Sequence, residues 1–175
     1  MQKNWYIIYT KPKSEKKVAA LLTKKKIENF CPLNCKSVVH FRRNKLVYEP
    51  LFSSYVFVNI EEREITLLKK IENVVSLVFW KGRPAVINHK EIEAIKGFVG
   101  DHQNIKLEKI QVNLNGDSII DDDRSYSIDG KILMIKNKSI RVNLPSLGFT
   151  LVAELDGESV LGREISFGNK EFSLQ

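Results

Sequence analysis

Three histidines, His40, His89 and His102, and two cysteines, Cys31 and Cys35, are the side chains of this 175-residue sequence best suited to catalysis or metal binding. No Ser, Cys or carboxylate stands at a spacing from any histidine that implies a nucleophile activated by a base. Cys31-x3-Cys35-x4-His40 offers three zinc ligands in principle. A closed tetrahedral site takes four, however, and the spacing is not a familiar one, so two ordinary reduced thiols are the simpler reading. No glycine-rich loop is present to cradle a phosphate. The residues therefore point away from an enzyme, and neither a catalytic group, a metal nor a cofactor is expected.

Charge is the next source of chemistry. The net charge is +7, but it is unevenly spread. Residues 1–100 carry 19 Lys/Arg against 9 Asp/Glu, whereas residues 101–175 carry 9 against 12. A basic first half suits a polyanionic partner such as nucleic acid, and an acidic second half does not bind phosphate unaided. With 43% hydrophobic and 28% charged residues, 9 Gly and 5 Pro, the chain reads as globular and long enough for two compact units. No apolar run reaches the roughly 20 residues of a membrane span. The short stretch Tyr6 to Tyr9 is no signal-peptide core, so a cytoplasmic protein without a membrane partner is expected.

The elements that must position these charges can be read from patterning. Trp5 to Thr10 is aromatic and β-branched and reads as a strand. Pro12 interrupts it, and Ser14 opens a helix as N-cap, with Glu15 favourable at the positive helix end and Val18, Leu21 and Leu22 as the apolar stripe. Ile27 extends the core contact just beyond that helix. Lys36 to Phe41 and Leu46 to Glu49 read as a hairpin around the polar turn Arg42-Arg43-Asn44-Lys45. Tyr55 to Ile60 is the strongest strand signal in the chain. Next come a helix over 61–70, a strand over 74–80, a short strand over 84–87 and a helix over 89–99. The sequence then turns polar, which places a linker over residues 101–111. Short strands over 131–134, 139–144 and 150–155 indicate a small β-barrel in residues 112–175. The fold class is α+β, helices covering an antiparallel sheet in residues 1–100.

Two stretches stand together in an informative way: Trp5-Tyr6-Ile7-Ile8-Tyr9-Thr10-Lys11-Pro12, and Glu49-Pro50-Leu51-Phe52-Ser53-Ser54-Tyr55-Val56-Phe57-Val58 after the basic hairpin. With the helix that begins at His89 after Arg83-Pro84-Ala85, they resemble the N-terminal (NGN) domain of the NusG family of transcription elongation factors. The resemblance covers roughly residues 4–99. The Glu-Pro-Leu-Phe-x-x-Tyr-x-Phe-Val form is similar to the family's specialised antiterminating branch, the RfaH and UpxY-like regulators. Ile140 to Phe149, followed by Leu151 to Leu155, resembles the family's KOW domain, an SH3-like barrel. The segment Asp121 to Tyr126 departs from that domain's usual glycine turn.

The resemblance implies a function and a set of sites. It implies a factor of RNA polymerase that suppresses pausing or termination on particular long operons, such as those for polysaccharide synthesis. Tyr9, Phe52, Tyr55 and Phe57 fall where the family docks on the β′ clamp helices of the polymerase. In a strand, Tyr55 and Phe57 share a face, and they are expected as the pair turned to the partner. Lys11 falls where RfaH-like proteins approach the non-template DNA strand, and Arg42, Arg43 and Lys45 would tip the hairpin toward upstream duplex. Glu64 to Leu67 departs from the family's contact to the polymerase β gate loop. Leu147 lies where NusG barrels meet ribosomal protein S10. Alternatives are a general NusG coupling polymerase to Rho or the ribosome, and a KOW-type module that binds RNA or ribosomes. A monomer is expected.

Overall fold

The computed structural model describes residues 2–41, 43–80, 82–110, 125–128, 131–136 and 139–154. The chain divides into two compact units, Met1–Asn34 with Tyr48–Ile92 and Cys35–Val47 with Glu93–Gln175.

In the first unit, β1 (Asn4–Thr10), β2 (Glu28–Phe30), β5 (Tyr55–Ile60), β6 (Val74–Leu77) and β9 (Val86–Ile87) form one antiparallel sheet. The strand order is β2-β5-β1-β6, with β9 pairing on β1 beside β6. A central strand is covered on both faces, which is why Trp5, Tyr6, Ile7, Ile8 and Thr10 are all buried and the strand reads as one unbroken run of β-formers. Residues 6 and 8 of β1 and 56, 58 and 60 of β5 face one way and meet Val18 and Leu22 of α1 (Glu15–Lys24), together with Leu68, Ile71 and Leu77. Ile27 packs against this core, as its sequence position implied.

Local details differ from the pattern reading where short-range rules compete. Ser14 is the N-cap of α1, yet its side chain makes no capping bond. The helix over 61–70 is instead a 3-10 turn (Glu62–Glu64) leading into the single-turn α2 (Ile65–Leu68). Its turn is closed by Glu64, whose carboxylate accepts the Glu61 backbone N–H at 2.9 Å, a reciprocal cap that favours a tight turn over a long helix. The strand over 74–80 is two pieces, β6 and β7 (Phe79–Trp80). The latter pairs with β8 (Arg83–Pro84) in its own two-stranded sheet.

The second unit takes in most of the hairpin formed by β3 (Leu33–His40) and β4 (Arg43–Pro50), the greater part of α3 (His89–Asp101), and a five-stranded sheet. That sheet runs β10-β14-β13-β12-β11, all neighbours antiparallel, with β10 (Lys106–Lys109), β11 (Ser125–Ile128), β12 (Lys131–Lys136), β13 (Ser139–Leu144) and β14 (Phe149–Glu154). Ile140, Val142, Leu144, Leu151 and Val152 are buried in it. Lys106 to Lys109, expected as linker, is therefore a strand of this sheet. Ile105 and Leu107 alternate with Lys106 and Glu108, and the polar set is used in the ion pairs Lys106 to Glu154 at 2.6 Å and Arg141 to Glu108 at 2.8 Å. β11 is likewise a strand that patterning did not mark.

Candidate functional site

The face of the first sheet opposite the α1 core carries residues 5, 7 and 9 of β1 and residues 55, 57 and 59 of β5, by the two-residue repeat of a strand. Tyr9 and Tyr55 stand directly opposite each other in the antiparallel register. Their ring centroids are 5.7 Å apart with planes tilted by 56°, a geometry in which an electron-poor ring edge meets an electron-rich face. Tyr9 is 39% exposed and Tyr55 is half-buried, whereas Trp5 and Ile7 farther along β1 are buried. Along β1 this face is thus closed at Trp5 and Ile7 and open at Tyr9.

A small network fixes the open end. Ser54 adopts a left-handed φ of 64°, a conformation that non-glycine residues hold only when neighbours enforce it. The enforcing groups are visible: the Ser54 carbonyl accepts the Thr10 backbone N–H at 2.8 Å, and its own N–H is donated to Oε1 of the buried Glu15 at 2.6 Å. The first residue of α1 therefore holds the turn that delivers Tyr55 opposite Tyr9. Glu15 was legible only as a helix-start acid, and nothing in its spacing announced this contact 39 residues away. On the other side of β1, Tyr9 pairs with Ser76 and the register shifts before Thr10 pairs with Val74. Val75, skipped by that bulge, is left 55% exposed.

The expectation that Tyr55 and Phe57 are presented together is corrected here. Phe57 is wholly buried and Phe52 nearly so. Phe52 meets Phe57 edge-on at 5.5 Å, and Phe30 from β2 stacks on Phe57 at 6.2 Å. Sharing a strand face does not guarantee sharing solvent, because the neighbouring strand and the 51–54 turn supply rings that cover position 57. Of the four aromatics singled out in the sequence, Tyr9 and Tyr55 form the accessible surface, and Phe52 and Phe57 lie in the packing behind it.

The basic candidates fall in both units. Lys11 is exposed just past β1, its backbone N–H donated to the Asn73 carbonyl at 2.9 Å. Nearby Lys17 pairs with Glu72 at 2.7 Å and holds that carboxyl below its ordinary range, so part of the basic surface is already neutralised. Arg43 and Lys45 are exposed on β4 in the second unit, beside Phe41, which is 89% exposed at the hairpin turn. Arg42 lies outside the described residues. Leu147 is half-buried in the 145–148 turn, its N–H donated to the Leu144 carbonyl at 3.0 Å.

The thiols show no sign of reactivity. Cys35 is buried, and burial pushes the Cys31 thiol up to about 11, with the nearby Glu15 charge adding to the effect. Among the described residues no group of three or more His, Cys, Asp or Glu side chains is placed to hold a metal ion. Nor is any described helix long and apolar enough to cross a membrane.

The family model for NusG, described as transcription termination factor, matches residues 3–96. The chain belongs to the NusG family. The matched span contains the whole Tyr9 and Tyr55 surface, Lys11 and the hairpin, so this NusG-family member carries its candidate site inside the domain that defines the family. The fold is similar to that of NusG from Thermotoga maritima, with 19% identity, a TM-score of 0.50, and 89% of this chain and 94% of that chain covered. A chain of the MjSpt4:Spt5 complex is matched at 15% identity and a TM-score of 0.32, over 86% of this chain and 99% of that chain. No curated protein sequence matches. Membership of the NusG family makes this a transcription factor of the NusG kind.

Proposed function

We propose that this chain is an elongation and antitermination factor of the specialised RfaH/UpxY-like kind, which binds the β′ clamp helices of RNA polymerase and suppresses pausing or termination on particular long operons. Residues 1–100 act as the NGN domain that docks, and the chain beyond them forms a KOW-like barrel whose first strand is β10. The observation that carries the reading is the Tyr9 and Tyr55 pair, an accessible aromatic surface at the end of the sheet face where the buried Trp5 and Ile7 give way to an exposed Tyr9. Rigid aromatics with few rotatable bonds bury large area at low entropy cost, and the Glu15 and Ser54 network holds this pair before any partner arrives.

Lys11 is assigned to the non-template strand and Arg42, Arg43 and Lys45 to upstream duplex, contacts that orient the factor through phosphates without reading sequence. Leu147 is assigned to ribosomal protein S10. The protein works in the cytoplasm as a monomer that recruits no cofactor. Retention of the purified chain on an isolated β′ clamp-helix fragment is the direct test. Wild type should be retained and Tyr55→Ala lost, with circular dichroism showing both folded; equal retention of the two would sink the assignment of this face.

A further inference from the structure

A second aromatic feature lies apart from the tyrosine pair. Among the described residues β7 and β8 pair only with each other, so they form a separate two-stranded arm between β6 and β9, which both border β1. The arm is tied at its base by the Val78 N–H to the Ile7 carbonyl at 2.9 Å and the Ala85 N–H to the Val78 carbonyl at 2.8 Å. Trp80 is 72% exposed and Phe79 59% exposed. Register places Trp80 opposite Arg83, and Phe79 opposite Pro84. An indole and an exposed guanidinium therefore share one face of the arm, and Arg83 has no ion pair among the described residues.

The surrounding sequence selects the occupant. No Asp or Glu occurs from Asn73 to Lys90, while Lys81, Arg83 and Lys90 do. That charge balance suits an unpaired nucleic-acid strand, which needs a π-face for one base and a cation for the adjoining phosphate. We propose that the β7 and β8 arm is a stacking platform for unpaired DNA, with Trp80 holding a base and Arg83 a phosphate. The choice of DNA rests on the proposed function, in which Lys11 meets the non-template strand. Lys11 lies past one end of β6 and the arm begins past the other, so a strand running along this edge of the sheet meets both.

The chain supplies its own reporter. Its two tryptophans differ sharply: Trp5 is buried and its indole N–H is donated to His89 Nδ1 at 3.2 Å, whereas Trp80 is exposed. Titrating the full chain with a dT12 single strand should quench the Trp80 emission in a saturable way. Affinity measured by anisotropy with labelled dT12 should fall about tenfold or more in Trp80→Ala, within the range for loss of one stacked base. Arg83→Gln should flatten the log-affinity against log-salt slope by about 0.7. Tyr55→Ala should leave both readouts unchanged, and Trp80→Ala should still bind the clamp-helix fragment, so failure of the arm and failure of the docking face are told apart. The proposal is overturned if Trp80→Ala binds dT12 like wild type, if rU12 binds and dT12 does not, or if duplex of the same length binds as tightly as the single strand. It is equally overturned if sedimentation shows the exposed aromatics joining two copies of the chain.

Discussion

At the residue scale, two side chains on one strand face separate binding from stability. Phe57 is wholly buried between Phe30 and Phe52, and Phe57→Ala should cost about 3–5 kcal/mol of folding free energy through lost transfer and a cavity, read as a lowered urea midpoint. Tyr55→Ala should leave the midpoint much closer to wild type and instead weaken clamp-helix binding by upward of about twentyfold, the effect of removing an anchor worth about 2 kcal/mol. Glu15 gives a subtler case. Glu15→Ala strands a buried Ser54 N–H and should lose about 1–3 kcal/mol, with weaker clamp-helix binding as the 51–55 turn relaxes, while Glu15→Gln keeps an acceptor and should recover most of both. The Cys31 thiol, pushed up to about 11 by burial from an ordinary value of 9.0, makes a pH statement. Below the ordinary value both folded and unfolded thiols are neutral and nothing is lost. As pH rises past it, the unfolded chain ionises first, so this group's effect is to lower stability progressively toward pH 11. At pH 7.5 native Cys31 should alkylate with iodoacetamide far more slowly than in urea, since the thiolate is the nucleophile.

At the scale of elements, what the sequence showed was what period and propensity control. β1, α1, β5 and the two arms of the hairpin follow from runs of β-branched and aromatic residues or from an i, i+3, i+4 stripe. The tyrosines and basic residues were visible as types. Their exposure was not, because it depends on which ring from another strand or turn covers which position: Phe30 and Phe52 close over Phe57 and leave Tyr55 open. β10 was missed for a related reason, since Ile105 and Leu107 give only two apolar repeats and the strand is completed by pairing with β14. The β7 and β8 arm depends on one residue the sequence did mark as a turn, Gly82, which has a φ of 78°. A Cβ there would meet nothing within 4 Å, so Gly82→Ala carries only the left-handed backbone cost of about 1–2 kcal/mol. That cost should appear locally: the Ala85 amide should exchange faster by roughly five- to thirtyfold, while the global urea midpoint changes much less.

At the scale of the whole molecule, apolar and ionic contacts are assigned to different surfaces, and ions can count them separately. Docking through Tyr9 and Tyr55, as proposed, buries apolar area and releases few counterions, so Tyr55→Ala should reduce affinity for an elongation complex with little change in salt slope. The basic residues are assigned to phosphates, and each phosphate contact contributes to that slope. Lys11 belongs to the first unit and the hairpin residues Arg43 and Lys45 to the second, which allows their partners to be distinguished as well. Lys11→Gln should flatten the slope by about 0.7 on a scaffold with an exposed non-template strand and leave it unaltered when that strand is fully paired. Changing Arg42, Arg43 and Lys45 to Gln should flatten it by about 0.9 for each contact made, and only when upstream duplex is present. None of these charge changes should disturb retention on the isolated clamp helices. If the charge variants lose clamp-helix binding while Tyr55→Ala alone alters the salt slope, the two surfaces have been assigned in reverse, and a basic protein held by general attraction to polyanions becomes the better description.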